Sequence, residues 1–199
     1  MGKLDGKIAD LFAASPVRRA RDFTAAGIPR IALTRAIAAG SIKRLARGVY
    51  GLAGFWEGEH WALALVAEKV PESVVCLLSA LSYHELTTQA PSEVWIALAN
   101  KAWAPALAYP PIRITRFGGK SLTYSVSTVR VDGVPVKVTT IEKTIADCFK
   151  YRNKVGLDVA LEALREAGRI GRLDRDALWA CAKIDRVTNV ILPYMEALA

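Results

Sequence analysis

The first half-hundred residues set short apolar stripes between stop signals. In "DGKIADLFA" (5–13), Ile8, Leu11 and Phe12 recur at helical spacing, and Ser15-Pro16 ends the run. In "RRARDFTAAG" (18–27), Phe23 marks an inward face and Gly27 a C-terminal stop. Pro29 opens a third helix, "PRIALTRAIAAG" (29–40), at its first turn, where a missing N–H costs nothing. Its inward positions are Leu33, Ala36 and Ile37. Its outward positions are Ile31, Thr34, Arg35 and Ala38, with Arg30 on the shoulder. After Gly40 comes "GSIKRLARGVYGL" (40–52), which reads as strand, turn at Gly48, strand. Ile42, Tyr50 and Leu52 can pack this ribbon against the helices while Lys43, Arg44 and Arg47 stay outside.

A boundary near Ala53-Gly54 separates this region, 1–54, from a second one, 55–199. The second opens with a helix over 57–70, ended by Pro71. "ESVVCLLSALSYHEL" (72–86) reads as a buried helix. "EVWIALA" (93–99), "IRITRF" (112–117), "YSVSTVRV" (124–131) and "VPVKVT" (134–139) read as strands, the third also compatible with a helix. Asp132-Gly133 is a hairpin signal. Thr139-x-x-Glu142 has the spacing of a capping box for an amphipathic helix, "IEKTIADCFKYR". Helices over 157–167, 174–183 (capped by Asp174) and 187–198 (with Pro193 inside) close the chain. The second region is thus α+β: strands framed by helices.

Charge sharpens this division. The net charge is +8 over 199 residues. Residues 1–54 hold ten Lys/Arg against three Asp, whereas 55–199 hold seventeen against sixteen acids. Nearly all the excess lies in the first quarter of the chain, a local field that attracts polyanions. Three short helices followed by a cationic hairpin is the order of a winged helix-turn-helix. The third helix would enter the major groove, so its exposed side is slim (Ala, Thr) with a few long hydrogen-bonding side chains. Arg30, Thr34 and Arg35 would reach base edges, and Ile31 a thymine methyl. Lys43, Arg44 and Arg47 would hold phosphates or the minor groove. Arg18 and Arg19 would meet the DNA backbone from the start of the second helix. Arg18, Arg19 and Arg21 read equally well as ordinary surface charges.

Catalytic signals are sparse. The chain has no G-x-S-x-G, P-loop, GxGxxG or H-E-x-x-H motif. Glu142 and Lys143 are adjacent on a helix and miss the Glu-x-Lys spacing of a metal-dependent nuclease. Asp174 and Asp176 read as helix capping. Glu142 and Asp147 could pair as carboxylates, or sit on a surface helix face beside Lys143 and Lys150. His84 reads as structural, with a general base as the alternative. Cys76, Cys148 and Cys181 lie among apolar residues and read as buried reduced thiols. His60 and His84 are not at metal-ligand spacing, so neither metal nor cofactor is expected. Tryptophans 56, 61, 95, 103 and 179 read mostly as core or interface. No run reaches transmembrane length, and "MGKLDGKIAD" carries neither an apolar signal core nor, with Gly6, a myristoylation signal. The expected location is the cytoplasm.

Three motifs in order, "GSIKRLARGVYGL", "LLSALSYHELTTQAPSEVWIA" and "VTTIEKTIADCFKYRNKVGLDVALEAL", resemble the AbiE-type (AbiEi) antitoxins of type IV toxin–antitoxin systems across nearly the whole chain. The third, with its Glu-Lys-Thr, Asp-Cys and Lys-Tyr-Arg, is the most specific. The resemblance implies a winged-helix domain followed by a larger C-terminal domain. It implies a repressor that binds inverted repeats in double-stranded DNA of its own promoter. It also implies that the C-terminal domain counteracts a nucleotidyltransferase-like toxin, in the type IV pattern without a stable complex. It supplies no catalytic residue, so the protein reads as a non-enzyme. One rival is a nuclease or nucleotide-modifying enzyme with a winged-helix targeting module. Carboxylates converging in a cleft of the second region would favour it. The other is a protein-interaction module whose basic face meets an acidic partner.

Overall fold

The computed structural model describes residues 3–13, 16–54, 58–107 and 109–197. Of the expectations above, Ser15, Trp56, the helix start at Glu57 and the final Leu198 lie outside the described residues, and the 54/55 boundary adjoins them. The chain divides into two compact units, 1–61 with 106–111, and 62–105 with 112–199. No described helix is long and apolar enough to cross a membrane.

The first unit runs α1 (Lys3–Ala13), β1 (Val17–Arg19), α2 (Ala20–Ala25), α3 (Arg30–Ala38), β2 (Ile42–Ala46) and β3 (Val49–Leu52). The strands form an antiparallel sheet in the order β1-β3-β2. Its core gathers Ile8, Phe12, Phe23, Ile28, Leu33 and Ile42. Phe23 is the centre, meeting Phe12 edge-on at 5.9 Å and Tyr50 edge-on at 5.5 Å. Both α2 and α3 end abruptly and in the same way. The N–H groups of Gly27 and Ile28 donate to Thr24 and Phe23, and those of Gly40 and Ser41 to Ile37 and Ala36. Gly27 (φ 66°) and Gly40 (φ 73°) take the left-handed conformation this closure needs.

One expected element is different. Residues 17–19 are a strand, not the first turn of the second helix, because Val17, Arg18 and Arg19 pair with Gly51, Tyr50 and Val49. The helix starts at Ala20, where the Asp22 carboxylate accepts from the Arg19 N–H at 2.7 Å.

The second unit holds a five-stranded sheet in the order β6-β5-β4-β8-β7. These strands are β4 (Val74–Val75), β5 (Val94–Ala99), β6 (Ile112–Phe117), β7 (Val126–Val131) and β8 (Val134–Thr139). β5 and β6 are parallel, as are β4 and β8. The helices are α4 (Trp61–Lys69), α5 (Leu77–Tyr83), α6 (Lys120–Thr123), α7 (Ile141–Lys150), α8 (Arg152–Val155), α9 (Leu157–Arg169), α10 (Arg175–Asp185) and α11 (Thr188–Glu196). Asp174 caps α10, accepting from the Ala177 N–H at 3.0 Å.

Two sequence expectations are corrected here. Val74-Val75 leave the predicted helix to form the central strand, β4, pairing with β5 on one side and β8 on the other. The cap of α7 is Thr140, whose side chain accepts from the Lys143 N–H. Thr139 stays in β8, its hydroxyl 2.7 Å from that of Thr144.

The larger correction concerns α7 itself. It is not a half-exposed amphipathic helix. It packs against α5, α9, α10 and α11, and every residue except Glu142 and Lys150 is buried. Lys143 and Asp147 are wholly buried, four residues apart on one face. The Lys143 ammonium bonds Asp147 and, at 3.0 Å, the buried Asp185 of α10. It lies 5.0 Å from the centre of the Phe117 ring. Asp185 also accepts from Lys150 at 3.1 Å and from the Ser121 hydroxyl.

The two carboxylates are therefore unequal. Burial pushes Asp147 well above the ordinary carboxylate range, and Lys143 only partly offsets this. Its Oδ2 has no partner among the described residues. Burial pushes Asp185 upward too, but Lys143 and the Ser121 hydroxyl outweigh it and hold that group below its usual value. Asp185 thus stabilises the fold above the ordinary carboxylate range, and this is lost as pH falls through its lowered pKa. Asp147 acts in the opposite direction, since its protonation on acidification relieves a buried charge. Asp185→Asn removes the buried carboxylate that Lys143 and Lys150 share and is expected to cost about 3–5 kcal/mol. Asp147→Asn is expected to cost under about 2 kcal/mol. Urea denaturation followed by circular dichroism across pH checks both, and the acid-side loss of stability should be smaller in Asp185→Asn than in the parent.

Candidate nucleic-acid interface

Helix α3 turns Ala32 and Leu33 into the core of the first unit, with Ala36 and Ile37 partly covered. That phase leaves Arg30, Ile31, Thr34, Arg35 and Ala38 exposed, Ile31 by 59%. An isoleucine this open on a small domain is not needed for packing. The Thr34 hydroxyl donates back to the Arg30 carbonyl at 3.1 Å, within its own helix.

The hairpin is a two-residue turn, Arg47-Gly48, closing the Ala46–Val49 pair. Gly48 has φ 74° and open space around it. Lys43 pairs with Gly51, and Arg44 with Tyr50, whose ring is held by Phe23. Lys43, Arg44 and Arg47 are all exposed. A groove of about 430 Å³ runs between the end of α3 and this ribbon, lined by Ile37, Gly40, Ile42, Lys43, Arg44 and Ala53. Among the described residues, none of Arg30, Arg35, Lys43, Arg44 and Arg47 has a carboxylate partner. Cations gathered unpaired on one helix face and one ribbon are what a surface that meets a polyanion requires.

Arg18 and Arg19 are placed differently from the other seven predicted contacts. Both are half-buried on β1. The Arg18 guanidinium donates to the Leu11 carbonyl near the end of α1, and to Val17 at 3.3 Å. It satisfies a helix-terminal carbonyl. No local sequence signal distinguished this arginine from its neighbours, because its partner is a backbone carbonyl of the preceding helix.

In the second unit the residues weighed for chemistry are mostly bound into the core. The ring nitrogen Nε2 of His84 donates to the Thr139 carbonyl at 2.7 Å, tying the end of α5 to β8. Burial lowers its pKa, and the charge of Arg172 adds to this. Cys76, Cys148 and Cys181 are free and buried. Burial pushes the first two thiols far up and Cys181 to about 11, which leaves them unreactive as thiolates at neutral pH. Asp147 and Asp185 do converge, but in the core against Lys143, not in a cleft. Glu142 is elsewhere, accepting from the Asp174 N–H at 3.4 Å. Among the described residues no group of three or more His, Cys, Asp and Glu could hold a metal ion.

Residues 7–53 match the model of a family described as transcriptional regulator, AbiEi antitoxin. The matched segment takes in most of α1 and all of β1, α2, α3, β2 and β3, and it ends before the second unit begins. The first unit is thus similar to a regulator and antitoxin family over most of its length, and the family's description names no reaction. No curated protein matches the chain in sequence.

The hairpin's geometry makes a direct prediction. A Cβ at position 48 would meet no atom, so Gly48→Ala loses stability only through its left-handed backbone, by about 1–2 kcal/mol. Chemical denaturation of the variant checks this.

Proposed function

We propose that the protein is a sequence-specific repressor that binds double-stranded DNA through a winged helix-turn-helix formed by its first unit. In this reading α3 is the recognition helix and the β2–β3 hairpin is the wing. One observation carries the proposal: the segment matching a transcriptional-regulator family is the segment whose exposed helix face and ribbon hold the unpaired cations. Arg30, Thr34 and Arg35 reach base edges in the major groove, with Ile31 against a thymine methyl. Lys43, Arg44 and Arg47 contact phosphates or the minor groove. Arg19, and Arg18 from its place against Leu11, face the DNA backbone. The target is an inverted repeat in the protein's own promoter, and the site of action is the cytoplasm. The protein is the antitoxin of a type IV operon, and residues 55–199 serve to counteract a nucleotidyltransferase-like toxin. The chain itself acts without catalysis, cofactor or metal.

The wing and the helix should respond differently to mutation. If each wing cation neutralises one phosphate, its replacement by Ala lowers the slope of log affinity against log salt by about 0.9. An unchanged slope for Lys43→Ala, Arg44→Ala and Arg47→Ala alike would remove the wing assignment. Arg35→Ala should cost about 1–3 kcal/mol on the operator and relax the preference at one base pair. A loss equal on all duplexes would make Arg35 a backbone contact. Fluorescence anisotropy on operator and scrambled duplexes measures all four variants.

A further inference from the structure

Residues 55–199 are nearly neutral in sum, yet their charge is sorted. Between Glu93 and Asp132 there is no Asp or Glu, while Lys101, Arg113, Arg116, Lys120 and Arg130 fall within that span. A second acid-free run, 148–157, carries Lys150, Arg152 and Lys154. The acids gather elsewhere. Glu85, Asp158, Glu162 and Glu166 line a groove of about 610 Å³ beside α9, together with Arg165 and Arg169.

The fold brings the two acid-free runs together at the carboxyl ends of the parallel pair β5 and β6. The loops that follow these strands touch: a Cβ placed on Gly118 would lie 2.8 Å from the Asn100 side-chain nitrogen. Asn100 opens the loop that carries Lys101 and Trp103, and Gly118 opens the one that carries Lys120, so the two loops leave the sheet side by side. Phe117, the last residue of β6, stacks flat on Tyr151 at 5.3 Å, and the Tyr151 hydroxyl donates to the Arg116 carbonyl at 2.9 Å. Lys154 lies over the Tyr151 ring at 5.2 Å. Lys150 is committed to Asp185 and Ser121, and Arg116 and Arg152 donate to backbone carbonyls. Lys101, Lys120 and Lys154 are exposed, and among the described residues none has a carboxylate partner. Trp103 is 81% exposed, the most open large apolar side chain described. The carboxyl ends of parallel strands are where open α/β sheets present ligand-binding loops.

Exposed lysines without carboxylate partners, on the same loop cluster as an exposed indole, fit one chemistry better than others. Phosphodiesters satisfy the lysines, and an unstacked base covers the indole face, whereas paired bases in a duplex offer no free face. We propose that this surface binds single-stranded nucleic acid, with Trp103 as a stacking platform and Lys101, Lys120 and Lys154 as phosphate contacts. It reads no base edge, so it takes single strands of either sugar.

The test is fluorescence anisotropy of the full chain with labelled oligo(dT) and oligo(rU), in a background of Lys43→Ala, Arg44→Ala and Arg47→Ala that removes any wing contribution. Both oligonucleotides should bind. Trp103→Ala should weaken binding about 5- to 150-fold, the range for loss of one base stack. Replacing Lys101, Lys120 and Lys154 together by Ala should lower the salt slope by about 2, from roughly 0.7 per phosphate on single strands. With the wing intact, both sets of variants should retain operator-duplex affinity and their melting transitions, which separates this proposal from the operator reading. No binding by the wing-neutralised protein, or binding that these surface replacements leave unchanged, overturns it.

Discussion

The second unit is organised by one buried ammonium. Lys143 sits at zero exposure with a carboxylate from its own helix, another from α10 and the ring of Phe117 from β6 around it. A lone buried charge would be prohibitively costly, so these neighbours must arrive together. Ser121 and Lys150 complete the shell of Asp185 and bring in α6 and the end of α7. The network therefore specifies how α6, α7 and α10 meet the edge strand β6. The Phe117–Tyr151 stack beside it fixes the loop cluster at the carboxyl ends of β5 and β6. A polar core of this kind is weak as a source of stability, and its role here is to select one arrangement of helices around the sheet.

The first unit solves a different problem with far less material. A small domain has to hold a helix and a ribbon rigidly while leaving their outer faces bare. Phe23, clasped by Phe12 and Tyr50, anchors both the helices and β3. The two left-handed glycines, Gly27 and Gly40, end α2 and α3 within a residue, so α3 has a definite length and exit. Arg18 closes the end of α1 through the Leu11 carbonyl. Cations left without carboxylate partners on α3 and the hairpin suit an external anion, and the similarity of residues 7–53 to a transcriptional-regulator family supports the proposal that this anion is DNA.

Much of this was legible in the chain. The phase of α3 follows from Leu33 and its neighbours, the hairpin turn from Gly48, and β5 to β8 from their alternation and the Asp132-Gly133 turn. The misplacements share a physical cause: each depends on a partner distant in sequence. Val17–Arg19 has no strand pattern of its own and is a strand only because β3 offers it hydrogen bonds. Val74-Val75 is too short to be told from the helix that follows. Lys143 and Asp147 have the spacing of an ordinary surface pair, and what buries them is Asp185, some forty residues on, together with α5, α9 and α11 packed around α7. Trp103 reads as core or interface alike, because size and hydrophobicity say nothing of which loop carries it.

The central proposal is that the α3–hairpin surface reads DNA sequence. Nuclease footprinting of the DNA upstream of the protein's own gene, with the intact protein, addresses this most directly. The account predicts discrete protected segments arranged as an inverted repeat, lost when Arg30, Thr34 and Arg35 are replaced together by Ala. Uniform, salt-sensitive protection without boundaries, unchanged by those replacements, would contradict it and leave only a general affinity for polyanions.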